Sequence, residues 1–178
     1  MLELQRLRMS YDEWLALPER PKAEWVDGEV VVHALPSPDH ADAQYEVERL
    51  LRDSLHGVRI YHEVGVQLPR NRVRIPDVMV VPTRPEGFIA TETPILVVEV
   101  LSPSTRTEDT IRKSAEYAGA GIGQYWLVDQ ELRTVTVLRN VEGAWEELVR
   151  LDESLPRAAV EVGEHGSVDL RLATLLGE

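Results

Sequence analysis

The amino-acid sequence predicts an α/β (α+β) domain in which a central mixed β-sheet is flanked by helices. Three observations carry this prediction. Ile95–Leu101 (ILVVEVL) and Gln124–Asp129 (QYWLVD) are short, apolar and rich in β-branched or aromatic residues, as strands buried on both faces are. Between them, about Thr107 to Ala120 has helical character and ends among Gly119, Gly121 and Gly123, which makes a right-handed strand–helix–strand crossover. Elsewhere, alternating runs bounded by turn residues read as antiparallel strands. No linker or internal repeat divides the chain, so its 178 residues are expected to form one domain, 1–178.

The elements follow in order. Ser10 and Glu13 have capping-box spacing before Trp14, Leu15 and Leu17, and Pro18 and Pro21 end that helix. Two short strands flank Asp27-Gly28, a hairpin signal because glycine accepts the positive φ such turns need. Ser37-Pro38 reads as an N-cap and first helical residue, opening a helix to about His56 with Ala43, Val47, Leu50 and Leu51 at helical spacing. Three strands are expected next: residues 58–68, residues 72–81, and the run ending at Leu101. A polar turn, Ser102-Pro103-Ser104-Thr105, has no G-x-S-x-G context and reads as a helix cap rather than a nucleophile. After Asp129, residues 134–151 form a hairpin around Val141-Glu142-Gly143, and residues 168–176 form a closing helix. No glycine-rich turn follows a strand, which argues against a nucleotide-binding doubly wound fold.

Composition narrows the function classes. The chain has no cysteine, hence no disulfide framework and no thiolate metal site. The first residues lack a signal peptide's apolar core and no run approaches a membrane span, so a cytoplasmic location is expected. Thirty-one acidic residues against 19 basic ones give a net charge of −12. Sequence-independent DNA binders are usually basic, so nucleic-acid contact here requires a metal, an oligomer or a local basic patch. Arg70, Arg72 and Arg74 form the best such patch, although a solvated hairpin turn explains them equally well. The four tryptophans fall in separate elements and read as core residues, not as a stacking platform.

Glu99 is the most informative residue. Its neighbours imply burial on both faces, and a buried carboxylate must neutralise or find a partner. Asp77 shares a strand face with Ile75 and Met79. Two carboxylates on neighbouring strands repel unless a cation lies between them, and hard oxygen ligands suit Mg²⁺ or Mn²⁺.

Pro76-Asp77 followed by Glu99-Val100-Leu101 resembles the PD-(D/E)xK signature of restriction-endonuclease-like proteins, with Leu101 where the lysine usually stands. The wider chain resembles the Uma family of that superfamily. The resemblance runs through Lys22-Ala23-Glu24-Trp25-Val26-Asp27-Gly28, Pro38-Asp39-His40, Ile75-Pro76-Asp77-Val78 and Val98-Glu99-Val100-Leu101-Ser102-Pro103-Ser104. It continues through Asp109, Lys113 and Tyr117 to Gln124–Asp129, covering about residues 10 to 150. The resemblance implies a restriction-endonuclease-like core and an endonuclease that hydrolyses DNA with Mg²⁺ or Mn²⁺. Asp77, Glu99 and the Val100 carbonyl would hold the metal. Lys113 would replace the missing lysine from the next helix, and Glu24 and His40 would face the site as ligand, water positioner or proton acceptor. Double-strand cleavage by so small a domain implies a homodimer. Two other readings stay open: a binding or regulatory module of this fold, and a metal-dependent hydrolase of another phosphoester. Helical periodicity alone places Ile111, Ala115 and Ala118 on the apolar stripe, with Lys113 roughly opposite.

Overall fold

A computed structural model describes residues 5–18, 21–103 and 105–177; Ser104 of the polar turn lies outside them. The chain builds two six-stranded sheets and a separate hairpin, with helices packed on the second sheet. The N-terminal sheet contains β1 (Gln5–Arg8), β2 (Ala23–Val26), β3 (Glu29–Val32), β5 (Gly65–Leu68), β6 (Arg72–Arg74) and β8 (Ile89–Ala90), in the order β1-β3-β2-β6-β5-β8. The central sheet contains β4 (Arg59–His62), β7 (Val78–Val81), β9 (Leu96–Leu101), β10 (Gln124–Asp129), β11 (Thr134–Val141) and β12 (Ala144–Leu151), in the order β12-β11-β10-β9-β7-β4. It is mixed: β9 runs parallel to β10 and antiparallel to β7. β13 (Arg157–Glu161) and β14 (Ser167–Arg171) pair as the separate hairpin.

Several local expectations are met for the reasons that prompted them. α1 (Tyr11–Leu15) starts from a complete Ser10–Glu13 capping box. α2 (Pro38–Ser54) is capped by the Ser37 hydroxyl, which accepts from the His40 amide. Asp27 and Gly28 turn the β2–β3 hairpin at φ 53° and 85°.

Two expectations are corrected, and one strand is added. Residues 58–68 and 72–81 are not two continuous strands. They form a ribbon that folds from the central sheet (β4 with β7) into the N-terminal sheet (β5 with β6). The fold falls at Glu63, whose φ is 50°, and at Pro76, which has no N–H for the ladder. The C-terminal segment gives β14 before a short α4 (Leu172–Leu176), because Val168 and Leu170 alternate into the core. β1, which pairs with β3, is an element that local patterning does not predict.

Each face of the central sheet covers its own core. Val78, Val80, Leu96, Val98, Val100, Trp126 and Val128 pack with Ala43, Val47 and Leu51 of α2 and with the β13–β14 hairpin and α4. Met79, Val81, Val97 and Tyr125 point the other way, against Val66, Leu68 and Tyr117. On this second face α3 (Ser114–Gly119) follows a wide π-helical segment, Glu108–Lys113. Period-two alternation carries Asp77 and Glu99 onto the same face.

Candidate active site

Asp77 sits where the ribbon leaves the central sheet. Met79 is the register partner of Val97, and Val78 of Val98; one step further sets Asp77 across from Glu99. Cross-strand partners have Cβ atoms about 4.5–5.5 Å apart, so the fold itself places the two carboxyls together. Pro76 ends the β7 ladder, and the Asp77 side chain replaces it: Oδ2 accepts from the Val100 amide at 2.8 Å. A strand residue's N–H and C=O point to the same side, so the Val100 carbonyl faces this junction too. Gln44 of α2 donates to the Asp77 carbonyl at 2.8 Å and fixes the corner from behind.

Lys113 reaches the pair from the helical segment after β9. Its ammonium lies 3.0 Å from Glu99 Oε1, 3.0 Å from Asp109 Oδ1 and 3.2 Å from Glu24 Oε1, with the side chain only 1% exposed. Tyr117 also donates to Glu99 Oε1, at 2.8 Å. Asp109, Lys113 and Tyr117 are spaced i, i+4, i+8, so one helix stripe delivers all three. The buried stripe is therefore this polar one. Ile111, expected in the core, is 64% exposed and Ala115 is exposed too, while Ala118 is buried as expected. The sheet face that the helix covers presents carboxylates, and an ammonium and a phenol satisfy them where an isoleucine cannot.

Glu24 stands behind the lysine rather than in the open cleft. It is fully buried; Oε1 accepts from the Ile75 amide at 2.8 Å, and Oε2 accepts from Arg74 at 3.0 Å and lies 3.0 Å from His33 Nε2. Both oxygens are committed, so Glu24 positions Lys113. His40, in the first turn of α2, does face the site, with Nε2 3.5 Å from Asp77 Oδ1. Lys22 donates to that same oxygen at 2.8 Å.

The basic patch is largely spent on structure. Arg74 is fully buried against Glu24, Glu108 and Glu116, so it is not available to a ligand at the surface. Arg72 makes a two-pronged contact with Asp27. Arg70 is exposed at the tip of the β5–β6 turn.

A cleft of about 310 Å³ opens on the site, and its walls include Lys22, His33, His40, Asp77, Glu99 and Asp109. Burial works to raise the Asp77 pKa, but Lys22, His40 and Lys113 outweigh it and hold the carboxyl well below its usual range. Burial pushes Glu99 up to about 8; Lys113 opposes this, while Asp109 and Asp77 add to it. Lys113 is desolvated, yet Asp109, Glu24 and Glu99 raise its pKa well above the usual value, so it stays charged.

Sequence reasoning alone does not nominate Lys22, His33, Asp109 or Tyr117 for roles. The i, i+4, i+8 spacing of Asp109, Lys113 and Tyr117 is a signal that could find two of them. The roles of Lys22 and His33 depend on which strands pair, and local sequence carries no sign of that.

A mixed sheet with facing carboxylates at a strand corner and a lysine beside them is the arrangement of a restriction-endonuclease-like domain, the lysine here coming from the following helix. Residues 9–163 match the model of the Uma2 family, described as "Putative restriction endonuclease", and the chain belongs to that family. The fold is similar to the crystal structure of a putative nuclease belonging to DUF820 from Anabaena variabilis. The TM-score is 0.74 at 23% identity, over 94% of this chain and 97% of that one. No curated protein matches the chain. No helix among the described residues is long and apolar enough to cross a membrane.

Proposed function

We propose that this chain is a divalent-cation-dependent endonuclease that hydrolyses phosphodiester bonds of DNA. The observation that carries this reading is the Lys113 ammonium, 3.0 Å from Glu99, which restores a lysine to the carboxylate pair although Leu101 occupies the usual lysine position.

The donor set fits a hard cation. Asp77, Glu99 and the Val100 carbonyl supply oxygen, and no thiolate is available. Among the described residues no group of three or more His, Cys, Asp or Glu side chains is placed to hold a metal ion by itself. Two carboxylates and a carbonyl, completed by water, are what Mg²⁺ usually accepts. When bound, such an ion polarises the scissile phosphate and lowers the pKa of water.

The chain's own residues do the rest. Glu24 and Asp109 hold Lys113 charged and aimed at Glu99, where it stabilises negative charge developing on the phosphate. His40, 14% exposed at the cleft wall, accepts the proton of the attacking water. The water oxygen bonds to phosphorus as the bond to a ribose oxygen breaks, and that oxygen takes a proton from bulk water, leaving a phosphate monoester and a hydroxyl. Severing both strands together would require a second copy of the site, hence a homodimer, which sedimentation checks.

The net charge of −12 favours a second reading, in which the substrate is a smaller phosphoester or the fold serves as a binding module. One assay separates the three. Plasmid, single-stranded DNA, RNA and small phosphodiesters are incubated with Mg²⁺ or Mn²⁺ and either wild type or Asp77→Asn. Metal-dependent DNA cleavage lost in the variant is expected. Cleavage confined to small esters supports the smaller substrate. No wild-type cleavage, or equal cleavage by the variant, refutes the nuclease.

A further inference from the structure

We propose that Lys22 is a substrate-phosphate ligand held in reserve on Asp77, so that the divalent cation and the polyanion bind cooperatively. The inference rests on the metal-dependent phosphodiesterase reading above and adds a residue and a coupling to it.

Among the described residues, Lys22 and Lys113 are the two lysines of the cleft wall, and no arginine joins them there. Their situations differ. Lys113 is sealed at 1% exposure among three carboxylates. Lys22 is 14% exposed, and Asp77 is its one ion-pair partner among the described residues. Lys113 cannot leave its place without stranding three buried carboxylates, whereas Lys22 leaves only Asp77, which an arriving cation neutralises in its stead.

The atoms involved give the contact its meaning. Asp77 Oδ2 is tied to the Val100 amide, so Oδ1 is the oxygen left to face a cation. Lys22 holds Oδ1 at 2.8 Å, and His40 Nε2 stands 3.5 Å from it. A divalent ion arriving at Asp77 meets an ammonium already in place and repels it. The ammonium needs another anion. A phosphodiester lying across the cleft supplies one within reach of the flexible four-carbon stem. Substrate thus draws Lys22 off Asp77 and opens the cation's ligand, while the bound cation frees Lys22 for the phosphate. The two affinities must then rise by the same factor.

The test measures Mn²⁺ affinity by the electron paramagnetic resonance of the free ion, with and without a cleavage-resistant phosphorothioate oligodeoxynucleotide, corrected for uptake by the oligonucleotide. Wild type, Lys22→Met, Lys22→Arg and Asp77→Asn are compared after thermal melts confirm that each is folded. Wild type should bind Mn²⁺ on the order of tenfold more tightly with the oligonucleotide present. Lys22→Met should bind it tightly without the oligonucleotide and gain little from it, and Lys22→Arg should behave like wild type. Mn²⁺ binding that depends on Asp77 but is the same in Lys22→Met as in wild type overturns the role of Lys22 and leaves the metal site standing. Absence of Asp77-dependent Mn²⁺ binding in every variant overturns both.

Discussion

Replacing Lys113 by methionine removes a buried ammonium from three carboxylates at 3.0, 3.0 and 3.2 Å while keeping most of the side chain's bulk. Breaking a buried ion pair by deleting one partner costs about 3–5 kcal/mol, because the other charge is left uncompensated. Glu99 can take up a proton and escape part of the penalty, since burial already pushes its pKa to about 8. Glu24 loses the largest of the charges that hold its pKa down but keeps Arg74 and His33 beside it, so the loss should stay within that interval. For a domain of this size each kcal/mol is about 2–4 °C, giving a fall in Tm of roughly 6–20 °C. Urea melts and calorimetry at pH 7 measure it. Adding Glu24→Gln to Lys113→Met should recover part of the loss, a coupling that a double-mutant cycle isolates. A Lys113→Met protein within about 1 kcal/mol of wild type, well below that range, would refute the claim that this lysine neutralises the carboxylates. Nuclease assays of this variant are interpretable only beside the melt, because the same side chain serves fold and chemistry.

The metal-free protein should lose stability as pH rises from the ordinary carboxylate range toward 8. Glu99 binds its proton more tightly folded than unfolded, so its contribution is complete at low pH and disappears as the folded group titrates. Glu99→Gln should flatten that part of the pH profile, and an unchanged profile would count against the raised pKa. Ile111→Gln should alter stability by no more than about 0.5 kcal/mol, as surface substitutions do, because Ile111 is exposed. A loss of about 2–5 kcal/mol, the range for emptying a core position, would show that the apolar stripe faces inward instead.

Much of the site is legible in the chain's own residues. Glu99 stands out because an acid among Leu96, Val97, Val98, Val100 and Leu101 violates the rule for buried strands. Asp77 gains its weight only as the partner of Glu99, and the family resemblance, not local patterning, nominates Lys113, Glu24 and His40. The Asp27-Gly28 turn and the Ser10 and Ser37 caps are readable because their signals lie within four residues of chain.

The inventory comes from the sequence alone: the elements and the out-of-place carboxylate are consequences of local propensity and spacing, and the order of the motifs carries the family resemblance. Tertiary packing decides how that inventory is wired. It places Asp77 across from Glu99 by strand register, and turns the 109–113–117 stripe inward against the apolar stripe of Ile111. It also consumes Arg74 in a buried network and sets Lys22 on Asp77. Each of these is a contest among partners brought together from distant parts of the chain. Buried charge decides it, because an uncompensated carboxylate costs more than an isoleucine left in water.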